Sequence, residues 1–157
     1  MTSAVDTRSA SDRLQALGLG LPSLGGDSKY VNHRTVNSCI YISGQLPDKD
    51  GELLSQGIVG RDIDVQTARR LARQAALNAL AVAAQAVGDL DRVRIVQMLV
   101  FVASTPELGE QSGVADAASD LLVEVLGENG RHARTAIGVA GLPRNSPVEI
   151  QMVCTAA

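Results

Sequence analysis

Residues 93–103, Val-Arg-Ile-Val-Gln-Met-Leu-Val-Phe-Val-Ala, restrict the fold more than any other stretch, because they are apolar on both alternating sets. Val93, Ile95, Leu99 and Phe101 fall on one set; Val96, Met98, Val100 and Val102 fall on the other. Strand side chains alternate between faces, so a strand written this way needs cover on both. Helices can cover one face. A second copy of the chain is the simplest cover for the other, since an exposed apolar face of that size marks an interface.

The helices are legible from their period. Asp64 predicts an N-cap for a helix running to Val87 and ended by Gly88. Within it Ala68, Leu71, Ala72, Ala75, Ala76, Ala79, Val82, Ala83 and Ala86 recur at steps of three and four. Arg69, Arg70, Arg73 and Gln85 take polar positions, which leaves a flat, Ala-rich face suited to a sheet. A second helix is predicted over 109–126, with Val114, Ala118, Leu121, Leu122 and Val125 on one stripe. Ser11-Asp12 predicts the cap of a short third helix carrying Leu14 and Leu17 and stopping at Gly18. Residues 1–10 read as a frayed tail before a single domain over 11–157.

Strands fill the rest. Residues 30–43 read as a hairpin turning at Val36-Asn37, Pro47-Asp-Lys-Asp-Gly51 as a turn, and Ile58-Val59 as a short strand. Two closing strands, 134–140 and 147–155, are joined by Gly141-Leu-Pro-Arg-Asn-Ser146. The order β-β-(β)-α-β-α-β-β predicts an α+β domain: one sheet of about six strands with two main helices on one face.

Composition narrows the chemistry. The 157 residues suit one domain, and with one Phe, two Tyr and no Trp the core must be aliphatic. Net charge is −3 and Lys occurs only at positions 29 and 49, so there is no basic stripe and little to stack on bases. That argues against a general nucleic-acid binder. Cys39 and Cys154 lie far apart in apolar stretches and read as core thiols. His33 and His132 lack metal-site spacing, and no phosphate-cradling glycine motif follows a strand. No metal and no cofactor are therefore expected. Neither a secretory leader nor a membrane span is visible, and a cytoplasmic location is the expectation.

The chemistry-bearing residues cluster near the C-terminus. Arg134 opens an otherwise apolar strand, so its guanidinium must find an anion or reach water. Its planar fork matches a carboxylate two-for-two, which makes a small carboxylate its natural guest. A structural ion pair with Glu149 on an adjoining strand is the alternative. Glu149 interrupts the apolar pattern of the last strand: it can orient the Arg, hold a water, act as a general base, or simply face solvent.

Three pieces in order carry a resemblance: Arg134-Thr-Ala-Ile-Gly-Val-Ala-Gly-Leu-Pro with Val148-Glu-Ile, Ser43-Gly44-Gln45 followed by Pro47, and Tyr30 upstream. Over about residues 28–155 the chain resembles the Rid (YjgF/YER057c/UK114) family. The resemblance implies a chorismate-mutase-like fold, a homotrimer with the sheets forming an inner barrel, and clefts between subunits. It implies hydrolytic deamination of imino acids such as 2-aminoacrylate or 2-iminobutyrate to 2-keto acids and ammonia. Carried over, Arg134 would clamp the carboxylate and Glu149 would place the water. Tyr30 would line the cleft, the backbone at Gly44 and Ala136 would hydrogen-bond the ligand, and Asp116 would fall where the archetypes carry Asn. The surroundings of Tyr30 (Lys29-Tyr-Val-Asn-His33), the Asn-to-Asp change, the N-terminal extension and the Gly130-Arg-His-Ala-Arg134 approach depart from the archetypes and resemble a longer subgroup. Two other functions compete: a trimer that binds small carboxylates without turnover, and the endoribonuclease activity assigned to some relatives, against which charge and aromatic content count.

Overall fold

The computed structural model describes residues 7–25 and 29–157. In chain order the elements are α1 (Ala10–Ala16), β1 (His33–Val36), β2 (Cys39–Gln45), β3 (Asp48–Lys49), β4 (Glu52–Leu53), α2 (Val65–Val87), β5 (Val93–Ala103), α3 (Gln111–Leu126), β6 (Ala133–Val139) and β7 (Val148–Ala156). Single 3-10 turns at Leu90–Arg92, Gly127–Gly130 and Pro143–Asn145 join some of them.

Helix ends follow their capping chemistry. The Asp64 carboxylate accepts from the Thr67 amide, and Gly88 ends α2 in the left-handed conformation at φ +84°. At α1 the cap is Ser9 rather than Ser11-Asp12. The Ser9 hydroxyl accepts from the Asp12 amide while the Asp12 carboxylate reaches back to the Ser9 amide, closing a capping box. Ordered packing thus starts before residue 11, and Ala10 is buried; residues 1–6 of the expected tail lie outside the described residues. Leu14 packs inward, whereas Leu17 stays exposed. Arg13 ties α1 to α3 by donating from Nε to the Val125 carbonyl at 2.7 Å.

Five strands form one sheet in the order β1-β2-β7-β5-β6, and β3 and β4 form a separate hairpin. All neighbours in the large sheet are antiparallel except β5 and β6, whose parallel pairing is bridged by α3 as a crossover. The β1–β2 hairpin turns at Asn37-Ser38, one residue later than expected, with Asn37 at φ +54° as such a tight turn demands. The 47–51 segment is more than a turn: it builds the β3–β4 hairpin around Asp50 and Gly51, both at positive φ. The short strand expected at Ile58-Val59 does not form. Val59 instead makes single bridges to Ile63 and Ser104 and is wholly buried.

Helices α2 and α3 pack on one face of the sheet, against Ile40, Ile42, Ile95, Met98, Val100, Ile150, Met152 and Cys154. The aliphatic core is as composition requires. The middle of α2 is buried all round, Asn78 included, because the sheet, α3, the start of the β3–β4 hairpin and Leu19 and Leu24 of the segment after α1 surround it. The Asn78 amide donates to the Leu46 and Asp48 carbonyls at 2.9 Å each and accepts from Gln74, so its burial leaves no polar group stranded.

One detail of β5 changes which side chains share a face. Its pairing with β7 shifts between Ile95 and Gln97, a β-bulge that absorbs Val96. Val93 and Ile95 therefore join Met98, Val100 and Val102 toward the helices, while Leu99 and Phe101 turn to the open face. Strict alternation assigns these sets differently, since it carries no extra residue. The thiols also separate: Cys154 is buried, which pushes its pKa up to about 11, whereas Cys39, expected in the core, is partly exposed near the β1–β2 turn. No helix among the described residues is long and apolar enough to cross a membrane.

Candidate functional site

The strand β6 is an edge of the sheet, and Arg134 lies near its start, opposite Met98 of β5 and therefore on the helix-facing side. Its Nη1 donates to Asp116 Oδ1 at 2.8 Å and to Ser119 Oγ at 3.1 Å. These acceptors are three residues apart on α3, so one helix face presents both. Nε and Nη2 have no partner among the described residues, and the Arg134 side chain is 24% exposed. One nitrogen is thus anchored while the Nε/Nη2 edge, with two parallel N–H vectors, is left for a planar anion. The ion pair with Glu149 does not form. Strand β5 lies between β6 and β7, and the counter-charge to Arg134 comes from Asp116.

Glu149 projects from the other side of the sheet. It pairs with Phe101 across β7 and β5, and with Tyr30, Ser43, Gly44, Phe101, Leu142 and Gln151 it lines an open cleft of about 440 Å³. Its carboxylate has no hydrogen-bond partner among the described residues, and burial raises its pKa above the usual glutamate range. It lies directly over Gly44: a Cβ there would sit 2.0 Å from Glu149 Oε1. Gly44 is therefore needed for close approach, its backbone φ being ordinary. Tyr30 stands exposed at the mouth of the cleft. Ser43 fixes the segment after it, donating from Oγ to the Val31 carbonyl at 2.7 Å and from its amide to the Asn32 carbonyl at 2.9 Å.

The predicted site residues thus fall into two groups. Arg134 and Asp116 meet on the helix side, with Ala136 two residues along β6, opposite Val100. Glu149, Gly44 and Tyr30 meet on the open side. Sequence reasoning missed Ser119, Phe101 and Gln151, and held Leu142 only as part of the C-terminal motif. Gln151 could have been found by parity, two residues beyond Glu149 on the same strand. Phe101 could not, because its pairing with Glu149 depends on the register after the bulge. Among the described residues no three His, Cys, Asp or Glu side chains gather as metal ligands would.

Comparison with known proteins agrees with this architecture. The family described as "YjgF/chorismate_mutase-like, putative endoribonuclease" matches residues 11–155. Protein TCP17 of Trypanosoma cruzi is 41% identical over 151 residues, covering 94% of each chain. Among solved structures, a "putative endoribonuclease" from Shewanella oneidensis MR-1 superposes with a TM-score of 0.90 at 34% identity, covering 94% of this chain and 99% of that one. The Agrobacterium tumefaciens protein Atu1372, described as of unknown function, gives a TM-score of 0.86 at 42% identity over 94% of this chain and 91% of its own. The five-stranded sheet backed by α2 and α3 is thus the chorismate-mutase-like fold, and this chain belongs to the YjgF/Rid family.

Proposed function

We propose that the protein hydrolyses small reactive imino acids of the 2-aminoacrylate or 2-iminobutyrate type, in clefts formed where copies of the chain meet as a trimer. The observation that carries this reading is the Glu149 carboxylate, unpartnered and desolvated over Gly44 in an open cleft. A structural carboxylate would be paired; one left unpaired over Gly44, its pKa raised by burial, is placed to exchange a proton with a ligand or water in the cleft. The Nε/Nη2 edge of Arg134 supplies the complementary half, a clamp for the substrate carboxylate. These halves lie on opposite faces of one sheet, so Arg134 from one copy serves the Glu149 cleft of another. The open apolar face and the unpaired edge of β6 are the surfaces available for that docking.

In the reaction, Glu149 accepts a proton from water as the oxygen adds to the imine carbon. That proton passes to the nitrogen, giving a carbinolamine. The carbinolamine hydroxyl then gives its own proton by way of Glu149 to the nitrogen, the C–N bond breaks as the C=O bond forms, and a 2-keto acid and ammonia leave, 2-aminoacrylate reacting as its imine tautomer. Holding water and imine in attack geometry supplies much of the rate. The deciding test is keto-acid release from freshly generated 2-aminoacrylate and 2-iminobutyrate. The parent accelerates it, while Arg134→Ala and Glu149→Gln do not; an inactive parent would sink the reading.

A carboxylate-binding trimer without turnover is the second reading, supported by the Arg134 fork alone, which needs nothing from Glu149. In that case Glu149→Gln binds as the parent does and no substrate turns over. The ribonuclease description attached to relatives is opposed by the net charge of −3 and the two lysines. RNA binding that weakens steeply with salt would restore it.

A further inference from the structure

Behind Arg134 lies a chain of hydrogen bonds that the proposed chemistry does not yet use. His132 Nδ1 is 2.6 Å from the Gly130 carbonyl, and His132 Nε2 is 3.0 Å from Ser119 Oγ. A carbonyl can only accept, so Nδ1 carries the proton. In the neutral ring Nε2 is then an acceptor, and the Ser119 hydroxyl donates to it. The Ser119 oxygen is left to accept from Arg134 Nη1 at 3.1 Å. Every donor points the same way along the series, from Arg134 through Ser119 and His132 to Gly130, and bonds aligned in this manner polarise and strengthen one another.

The far end is immobilised. Gly130 is buried against α3 so tightly that a Cβ would sit 2.1 Å from the Leu122 carbonyl oxygen and 2.9 Å from the Val123 amide nitrogen. The carbonyl holding His132 is therefore fixed to the backbone of the helix that also carries Ser119 and Asp116. Asp116 accepts from the same Arg134 Nη1. The guanidinium is thus held at one nitrogen by two acceptors from one rigid helix, which sets the direction of its Nε/Nη2 edge.

We propose that Ser119 and His132 are positioning residues for Arg134: His132, held in the Nδ1–H tautomer by Gly130, orients the Ser119 hydroxyl so that its oxygen anchors Nη1 and aims the free edge at a ligand carboxylate. This rests on the reading of Arg134 as the carboxylate clamp. Aiming a planar group is an entropic contribution, because a guanidinium already fixed loses less freedom when it binds. A helix-to-strand strut with no bearing on the ligand would use the same contacts, so the test must read affinity as well as stability.

The experiment measures binding of 2-oxobutyrate to the assembled protein by calorimetry, beside thermal unfolding. Ser119→Ala and His132→Leu weaken binding about five- to tenfold, the worth of one ordinary hydrogen bond. His132→Gln restores most of it, since its Oε1 can accept from Ser119, and Arg134→Ala abolishes it. If Arg134→Ala fails to bind while Ser119→Ala and His132→Leu bind as the parent does, the clamp stands and the positioning proposal falls. If Arg134→Ala binds as the parent does, the clamp reading itself is wrong. Nitrogen-15 shifts of His132 in the unaltered protein, in mildly alkaline solution, give an independent check with only His33 to resolve from it. They report the Nδ1–H tautomer; the Nε2–H tautomer would overturn the proposal whatever the variants do.

Discussion

On the helix-covered side of the sheet, Met98, Val100, Ile150 and Met152 are buried, whereas on the opposite side of the same sheet Tyr41 and Ile137 stay more than two-fifths exposed. The covered side is completed by α2 and α3 within one chain. The open side carries apolar residues that one chain leaves uncovered, and among them sits the Glu149 cleft. Arg134 belongs to the covered side and Glu149 to the open one. The contrast teaches that the two charged groups of the proposed site are organised differently: Arg134 is anchored by the chain's own helix α3, whereas Glu149 is set on a face that the same chain leaves uncovered.

Perturbations separate the two sides. The largest effect is expected on the covered side. Leu121→Ala, at a position with no exposed surface, should cost about 3 kcal/mol in urea unfolding, through lost burial and a residual cavity. Ile137→Asp on the open side should leave helix content intact yet reduce the light-scattering mass to that of a single chain. A parent that already scatters as a single chain would break the comparison. Gly44→Ala tests the cleft. The added methyl must displace the Glu149 carboxylate, so keto-acid release should fall by roughly tenfold or more while the fold persists. A milder, opposite effect is expected for Asp116→Asn. The amide oxygen can still accept from Arg134 Nη1 but no longer neutralises the cation, so 2-oxobutyrate should bind a few-fold more tightly, and less so at high salt.

The smallest effect concerns pH. Burial raises the folded-state pKa of Glu149 above its unfolded value, so the folded protein holds that proton more firmly than the unfolded chain. Its ionisation therefore costs stability as pH rises from the ordinary glutamate range through the raised value. Glu149→Gln removes that cost and should stabilise the protein at neutral pH by less than about 1 kcal/mol, the gain vanishing below the ordinary glutamate range. A Gln variant less stable than the parent at neutral pH would mean that the carboxylate has a stabilising partner in the assembled protein.

Much of the architecture was legible because its signals are local. The α2 cap at Asp64 and stop at Gly88, the α3 stripe and the two closing strands need only neighbours in sequence. The α1 cap lies two residues before the expected Ser11-Asp12 because Ser9 and Ser11 both offer hydroxyls, and the Ser9–Asp12 capping box together with the burial of Ala10 selects Ser9. Arg134 and Glu149 stand out as charged residues in otherwise apolar strands, and Asp116 is reached only through the family resemblance. Their partners do not stand out: whether Arg134 meets Glu149 or Asp116 depends on β5 lying between β6 and β7, and strand order is not written in any one segment.

The sequence by itself determined an aliphatic α+β domain, its helix boundaries to within a few residues, and the excess of apolar surface on the strand at 93–103. Those follow from periodicity, capping and composition, which act over a few residues. Only the tertiary structure decided that a bulge at Val96 moves Val93 and Ile95 to the helix side, that Gly44 exists to admit the Glu149 carboxylate, and that Arg134 is anchored through Ser119 to α3. Register, close backbone approach and side-chain partnership are relations between segments far apart in the chain, and they are fixed only once the whole sheet is assembled.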